Sequence, residues 1–524
     1  YAVDGVSWRV LIDDLKTLTL HPQGELPTAS MSFKAWALEL HRQGLEGLRR
    51  PEESMWLAQL AAARALPVNT NYVSTLNTLE QAATIECALD LTETEALVRS
   101  ALVYHGGIND VLLAALGLAL TQWSAHHFGV ELGDPLIELE GHGRETQADL
   151  TRTVGWFTSV FPLRLQTGDL NPANNQDLGQ AIRRIKETLR RMPDKGLGFG
   201  ILRYLDPNSA LLQSRDAAPE IGFNYLGRFE LDQANEEQWR MAEGGLIGAE
   251  DNLSRPRLHL IDINTAINTS GLLGVGITYC KAAHTQAQIE DLALRFKAML
   301  LALSQHCLTS ALDNRHTPSD FEFLNPLSDS ARNSLEQLQL DELATLYPHF
   351  QDIVPLTPLQ QGLGFESTAL AENAKDPYHV HLLLTFKGAI NNDAMKRAWL
   401  ALISRHEVLR LALAPAHLAP GMAIIQSNDA IDYQVVTLEG DRASRIEQLK
   451  RLDFARPFAL EQGPMIRLYQ AELAQAEYVV LIANHHLNSL YLLRKHPEMR
   501  AFYERAELVE LDSTPLVHFA KLLG

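Results

Sequence analysis

A chain of 524 residues exceeds what one hydrophobic core usually organises, and its length predicts roughly three or four compact units. Against 45 basic residues stand 64 acidic ones, a formal charge of −19, which argues against a nucleic-acid partner because phosphate backbones demand a basic footprint. Three cysteines, Cys87, Cys280 and Cys307, lie far apart without CxxC or metal spacing, so reduced structural thiols in a cytoplasmic protein are expected instead of a disulfide framework.

In chain order, the first strong signal is Val111–Leu120, apolar on every side, which predicts a helix buried all round with Asn109 placed to cap it. That run is about half of what a bilayer span needs, and the N-terminus has no basic region with an apolar stretch behind it, so no membrane association is expected. Leu258–Asn264 and Leu273–Cys280 alternate like neighbouring strands. Thr285 and Gln288 then form a capping-box pattern before a helix with Ile289, Leu292, Phe296, Met299, Leu300 and Leu303 on one face. Residues 311–349, with Thr317-Pro318, Asn325-Pro326 and a polar stretch from Ser328, read as a linker that holds one short helix around Leu335–Leu346. Beyond it, Val380–Phe386 reads as a strand, Met395, Ala398, Trp399 and Leu402 as a helix face, and Tyr478–Ile482 as a strand running into His485. Strands mixed with helices indicate an α/β fold class.

Chemistry concentrates between residues 140 and 162, EGHGRETQADLTRTVGWFTSVFP, where Glu140, His142, Arg144 and Glu145 stand among glycines and bulky aromatics. A polar loop beside a buried strand has the same composition. Further runs accompany it in order: Asp4-Gly5 at the start, Asn109-Asp110, Pro193-Asp194-Lys195-Gly196-Leu197-Gly198-Phe199-Gly200, and Phe223-Asn224-Tyr225-Leu226-Gly227-Arg228. Taken as a series these runs resemble the motifs of an epimerization domain of a nonribosomal peptide synthetase, over residues 1–310. That family opens on HHxxxDG, whose two histidines would lie just before Tyr1. With Tyr1 in place of a start methionine, the expectation is an excised piece that lacks most of its N-terminal lobe and does not epimerize alone.

From residue 350, Asp352-Ile353-Val354-Pro355-Leu356-Thr357-Pro358, Asp376-Pro377-Tyr378-His379-Val380 and Ser404-Arg405-His406-Glu407 resemble the opening of a condensation domain from the same assembly lines, through residue 488. At His485-His486 the second HHxxxDG is reached, but Leu490 and Tyr491 stand where its aspartate and glycine belong. Residues 489–524 carry no family pattern and are expected to pack poorly.

The resemblance implies a chloramphenicol-acetyltransferase-like two-lobed α/β fold, one truncated copy and a partial second. It also implies L-to-D epimerization of a carrier-bound aminoacyl or peptidyl thioester, followed by peptide-bond condensation. Glu140 is then one acid/base, Asp4 holds the histidine loop, Arg144 supports Glu140, Asn224 and Tyr225 line the site near the enolate, and His486 serves amide formation. No cofactor is bound directly and no metal is expected. The 4′-phosphopantetheine is carried by a partner carrier domain, and neighbouring synthetase domains are the other partners. A second reading of different class is a catalytically inactive fragment or a carrier-domain interaction module.

Three features invite competing readings. His126-His127 lacks a following aspartate and glycine and reads as a helix end. Gly196–Gly200 lacks the Lys-Ser/Thr of a phosphate loop. Arg183, Arg184, Lys186, Arg190, Arg191 and Lys195 form a basic cluster, by default a solvated helix face and, more sharply, a dock for a carrier domain's phosphate.

Overall fold

The computed structural model describes residues 2–485 apart from 29, 62–63, 145, 214–217, 229–251, 310–314, 325–334, 349, 370–375, 389 and 428–431. His486, Leu490, Tyr491 and the tail at 489–524 lie outside the described residues, as does Glu145. The chain divides into two compact units, residues 1–315 and 316–524.

The first unit opens with helices α1 (Gly5–Leu20), α2 (Phe33–Leu45) and α3 (Glu53–Leu60), then β1 (Ala82–Ala88), α4 (Leu91–Val103) and α5 (Ile108–Phe128). There follow β2 (Leu136–Gly141), β3 (Ser159–Arg164), α6 (Asn175–Arg190), α7 (Leu197–Tyr204) and the short α8 (Ala210–Gln213). Strands β4 (Ile221–Arg228), β5 (Ile261–Ile267) and β6 (Leu273–Cys280) and the helix α9 (Gln286–Thr309) complete it.

Among the described residues its six strands form one mixed sheet in the order β1-β6-β5-β4-β2-β3. Alternation gives the sheet two different faces. Ile137 and Leu139, Ile221 and Phe223, Ile261 and Ile263, and Val275 and Ile277 point into one large core with α4, α5, α6 and α9. Glu138 and Glu140, Asn224, Asp262 and Asn264, and Thr84 bonded to Thr278 stand at the alternate positions and make the opposite face polar.

Helix α5 is buried nearly all round, as its composition predicts, but Asn109 is not its cap. Gly107 takes that position, and its N–H donates to Asp110 Oδ2 at 2.7 Å. Among the described residues α5 alone is long and apolar enough to cross a membrane, by length and composition only; 72% of that window is buried inside the protein. The expected strand pair is β5 and β6, antiparallel. The capping box is present: Thr285 N–H donates to Gln288 Oε1 at 2.7 Å and Gln288 N–H to Thr285 Oγ1 at 3.3 Å.

The second unit comprises α10 (Gln337–Leu346), β7 (Phe350–Pro355), α11 (Pro358–Thr368), β8 (His379–Lys387), α12 (Asn392–Arg405), β9 (Leu411–Leu413) and β10 (Met422–Gln426). It continues with β11 (Asp432–Val435), α13 (Arg442–Phe454), β12 (Ile466–Ala474) and β13 (Glu477–His485). A small sheet β7-β10-β9 and a larger one β11-β12-β13-β8 organise it. On β13, Val480 and Ile482 pack with Ile403 of α12, while Val479 and Leu481 pack with Leu449 of α13. A strand buried on both faces explains the unbroken apolar run.

The stretch expected as a linker does not stand apart. Phe321, Leu324, Leu340, Leu343 and Tyr347 are buried with Phe350 and Ile353, so the second unit begins near His316. Sparse apolar residues suffice because they converge on one small sheet, a convergence that the turn-rich local pattern conceals.

Candidate functional site

Strand β2 delivers Glu140 to the polar face, one residue before its end. The chain must then turn sharply, and Gly143 makes that possible with φ at +64°. A Cβ there would lie 1.8 Å from the Phe157 carbonyl oxygen, so the EGHGR loop and the GWF segment approach backbone to backbone.

Asn224 of β4 donates from Nδ2 to Glu140 Oε2 at 3.0 Å, uniting two residues singled out in sequence 84 positions apart. Glu140 remains exposed on one side. Its carboxyl is nevertheless held above the usual range: burial against the sheet raises it most, the Glu138 charge adds, His259 pulls the other way, and Asp262 adds again. Tyr225 follows in the strand, on the opposite side of the sheet, where it packs against the apolar core and not beside Glu140. Strand alternation separates it from Asn224 and Glu140.

Arg144 also goes elsewhere than expected. Its Nη2 donates to Asp4 Oδ1 and Oδ2 at 3.1 and 3.2 Å and to Ser7 Oγ at 2.9 Å, while Nη1 donates to the carbonyls of Leu150 and Thr153 at 2.6 and 2.8 Å. The guanidinium carbon lies 3.9 Å from the Phe157 ring centroid. Asp4 caps α1 by accepting from Ser7 N–H at 2.7 Å and also accepts from Phe157 N–H at 3.2 Å. Burial pushes the Asp4 carboxyl up, but the Ser7 and Arg144 donors outweigh it and hold it below the ordinary range. Asp4 and Arg144 therefore lock the start of the chain to the loop that follows Glu140.

The glycine-rich run behaves as a structural turn. Asp194, Lys195 and Gly196 have φ of 43°, 46° and 88° before α7, and Arg49 Nη1 holds Asp194 at 2.6 Å. This turn abuts the end of β2, where a Cβ on Gly141 would come 2.8 Å from the Lys195 carbonyl oxygen. The basic cluster dissolves into local partners: Lys186 is buried and donates to the Tyr104 carbonyl at 2.7 Å, Arg184 pairs with Asp169 at 2.6 Å, Arg191 with Glu187 and Arg190 with Asp110, the last two at 3.9 Å. His126 and His127 occupy the last turn of α5, and His127 meets Asp291 at 2.9 Å.

His259 is the residue that sequence reasoning missed. Its Nδ1 is 2.7 Å from Asp262 Oδ1 and its Nε2 is 3.0 Å from Glu138 Oε1, on the same polar face as Glu140. A lone histidine at the start of a strand pattern carries no signal until the strand register is known.

In the second unit, β13 delivers a buried His485, whose Nε2 lies 3.0 Å from Ser367 Oγ and 3.3 Å from Asp376 Oδ2. These contacts join the DPYHV run and the end of α11 to His485. A second buried cluster converges on Asp453: His379 Nε2 and His381 Nε2 reach Oδ2 at 2.5 and 2.7 Å, and Arg467 Nε donates to Oδ1 at 3.0 Å. With the guanidinium on the same carboxylate, this is an ion network in which the acidic charge is already neutralised.

Comparison with known proteins bears on both units. The condensation-domain family matches residues 2–323 and 350–489. A linear gramicidin synthase polypeptide from Brevibacillus parabrevis is 33% identical over 500 residues, covering 93% of this chain but 6% of that protein. Gramicidin S synthase 1 from Brevibacillus brevis is 33% identical over 365 residues, 67% of this chain and 31% of that protein. The chain thus spans a minor part of these relatives. Among solved structures, the epimerization domain from the third module of tyrocidine synthetase B is similar with a TM-score of 0.51 and 34% identity, covering 59% of this chain and 67% of that one. With its mixed sheets, its helices and this structural relative, the chain has the chloramphenicol-acetyltransferase-like α/β fold and belongs to the condensation-domain family of nonribosomal peptide synthetases.

Proposed function

We propose that residues 1–310 belong to an epimerization domain, which interconverts the L and D forms of an aminoacyl or peptidyl thioester at its α-carbon. Residues 350–488 then belong to the condensation domain that joins the product to the next amino acid. The observation that carries this reading is Glu140, a carboxyl of raised proton affinity on an open polar face, oriented by Asn224. An α-proton next to a thioester is weakly acidic, and a base matched to it works best when its own proton affinity lies near the operating pH.

In the forward step the Cα–H bond breaks, its electron pair enters the thioester enolate and the proton moves to Glu140. Inversion requires a proton delivered to the opposite face, the task that the family pattern gives to a histidine ahead of Tyr1. Asn224 keeps the carboxylate aimed, and the Asp4–Arg144 pair holds the loop behind it. The substrate arrives on the 4′-phosphopantetheine arm of a carrier domain, which belongs to that partner and is not a resident cofactor.

The test uses the synthetase polypeptide that contains this chain, loaded with an α-deuterated aminoacyl thioester. Glu140→Gln should slow loss of the label by about two to four orders of magnitude, the usual worth of a positioned acid/base, with unfolding unchanged. A full-rate variant would remove Glu140 from the chemistry.

A further inference from the structure

Strand pairing lines up three residues across the polar face. Glu138 of β2 pairs with Gly222 of β4, and Gly222 pairs with Asp262 of β5. His259 lies over this row, bonded to Glu138 at one nitrogen and Asp262 at the other. Gly222 is what gives the imidazole its seat, because a Cβ there would stand 2.7 Å from His259 Nδ1 and 2.9 Å from Asp262 Oδ1. Arg257 closes the far end with Nη2 at 2.6 Å from Asp262 Oδ2. Two residues further along the strands the next row holds Glu140 and Asn224, with Asn264 paired to Asn224.

Both ring nitrogens of His259 meet carboxylate oxygens, an arrangement that only the imidazolium satisfies with two donors. Burial alone would lower its proton affinity, but the hydrogen bonds to Asp262 and Glu138 outweigh that and raise its pKa to about 9. The row then contains two cations, His259 and Arg257, against two anions, Glu138 and Asp262. It is balanced as long as the imidazolium is present.

Taking Glu140 as the acid/base of the proposed reaction, we infer that His259 is a positioning residue for it: its charge, seated over Gly222, neutralises the carboxylate row that stands beside Glu140 on the same face of the sheet. Among the described residues, the charges that act on Glu140 are those of this row, Glu138, His259 and Asp262. Its own strand presents Glu138, β3 presents Val160, β4 presents Asn224, and β5 presents Asp262 and Asn264. Lys195 stands in the turn before α7, its carbonyl 3.5 Å from Ser159 Oγ.

The experiment follows the Glu140 carboxyl directly in the full chain, labelled with 13C at the glutamate side-chain carboxyls and titrated by NMR, with Glu140→Gln identifying the signal. His259→Gln should move the Glu140 titration upward, since two carboxylates lose their counter-charge. Glu138→Gln, nearly isosteric, should move it downward. Gly222→Ala retains the histidine but fills its seat, and should act in the direction of His259→Gln. Opposite shifts from His259→Gln and Glu138→Gln support the inference, because general loosening of the sheet moves both the same way. Shifts of equal sign, or none, overturn it. Opposite shifts together with full α-deuterium loss in the Glu140→Gln synthetase would uphold the charge row and sink the epimerization reading.

Discussion

Arg144 donates to both carboxylate oxygens of Asp4, at 3.1 and 3.2 Å, and thereby fastens the first helix to a loop 140 residues later. Both side chains are nearly buried, so removing one partner leaves the other as an uncompensated charge. Asp4→Asn or Arg144→Gln should each cost about 3–5 kcal/mol of stability. The double variant should cost less than the sum of the two, since the residues share one interaction. Thermal unfolding combined with hydrogen exchange across α1 checks this; additive losses would mean that each residue acts through other contacts.

Two glycines with nearly the same backbone provide an internal control. Gly143 and Gly129 have φ of +64° and +63°, but a Cβ on Gly129 meets nothing within 4 Å, whereas one on Gly143 falls on the Phe157 carbonyl. Gly129→Ala should therefore cost only about 1–2 kcal/mol, the left-handed penalty. Gly143→Ala should cost distinctly more and release the Asp4–Arg144 lock, because a backbone oxygen cannot rotate away. Equal melting temperatures for the two variants would show that the 140–157 loops separate freely.

The sequence made the periodic elements readable, and it made Glu140 and Asn224 readable as members of ordered motifs. The helix α9 with its capping box and the pair β5 and β6 follow from apolar spacing, which is local. Arg144 shares one short motif with Glu140, but its carboxylate partner is Asp4, which arrives from the start of a helix far off in the chain. Tyr225 follows Asn224 directly in β4, and two adjacent strand residues cannot face the same side. His259 was invisible because its meaning lies in the row Glu138, Gly222 and Asp262, and cross-strand register is not written in any one segment. The supposed linker misled because Leu340 and Leu343 are few, and their value depends on a sheet formed later in the chain.

The second unit carries its own buried ion network. Asp453 is held well below the usual carboxylate range: burial opposes this, but the hydrogen bonds from His379 and His381 and the nearby Arg467 prevail. Asp453→Asn removes the charge that compensates a nearly buried Arg467 and should destabilise this unit by about 3–5 kcal/mol. Hydrogen exchange in β8 and β12 should rise accordingly while the first unit is unaffected. Because the folded carboxyl is depressed, its contribution is present above the ordinary aspartate pKa and fades as pH falls below it. Unchanged protection in β8 at neutral pH would show that the carboxylate is dispensable.

Two histidines of the first unit should bound its stability from opposite sides. His284 is fully buried between Trp123 and Phe128, with Nε2 3.0 Å from the Pro67 carbonyl, and burial lowers its pKa to about 4. Between pH 4 and 6.5 the unfolded chain binds a proton there that the folded one refuses, so stability is lost as pH falls through that window. For His259, burial is outweighed by its two carboxylate partners and the pKa stands at about 9, so the folded form holds the proton. Its stabilising effect is complete below about pH 6.5 and is lost as pH rises toward 9. His284→Gln should flatten the acid limb of the stability profile and leave the alkaline limb in place, whereas His259→Gln should do the reverse. The measurement is hydrogen-exchange protection of β5, β6 and α9 between pH 4 and 10, with intrinsic exchange rates corrected at each pH. If either substitution altered both limbs equally, the losses would come from disturbed packing and not from proton linkage at these two rings.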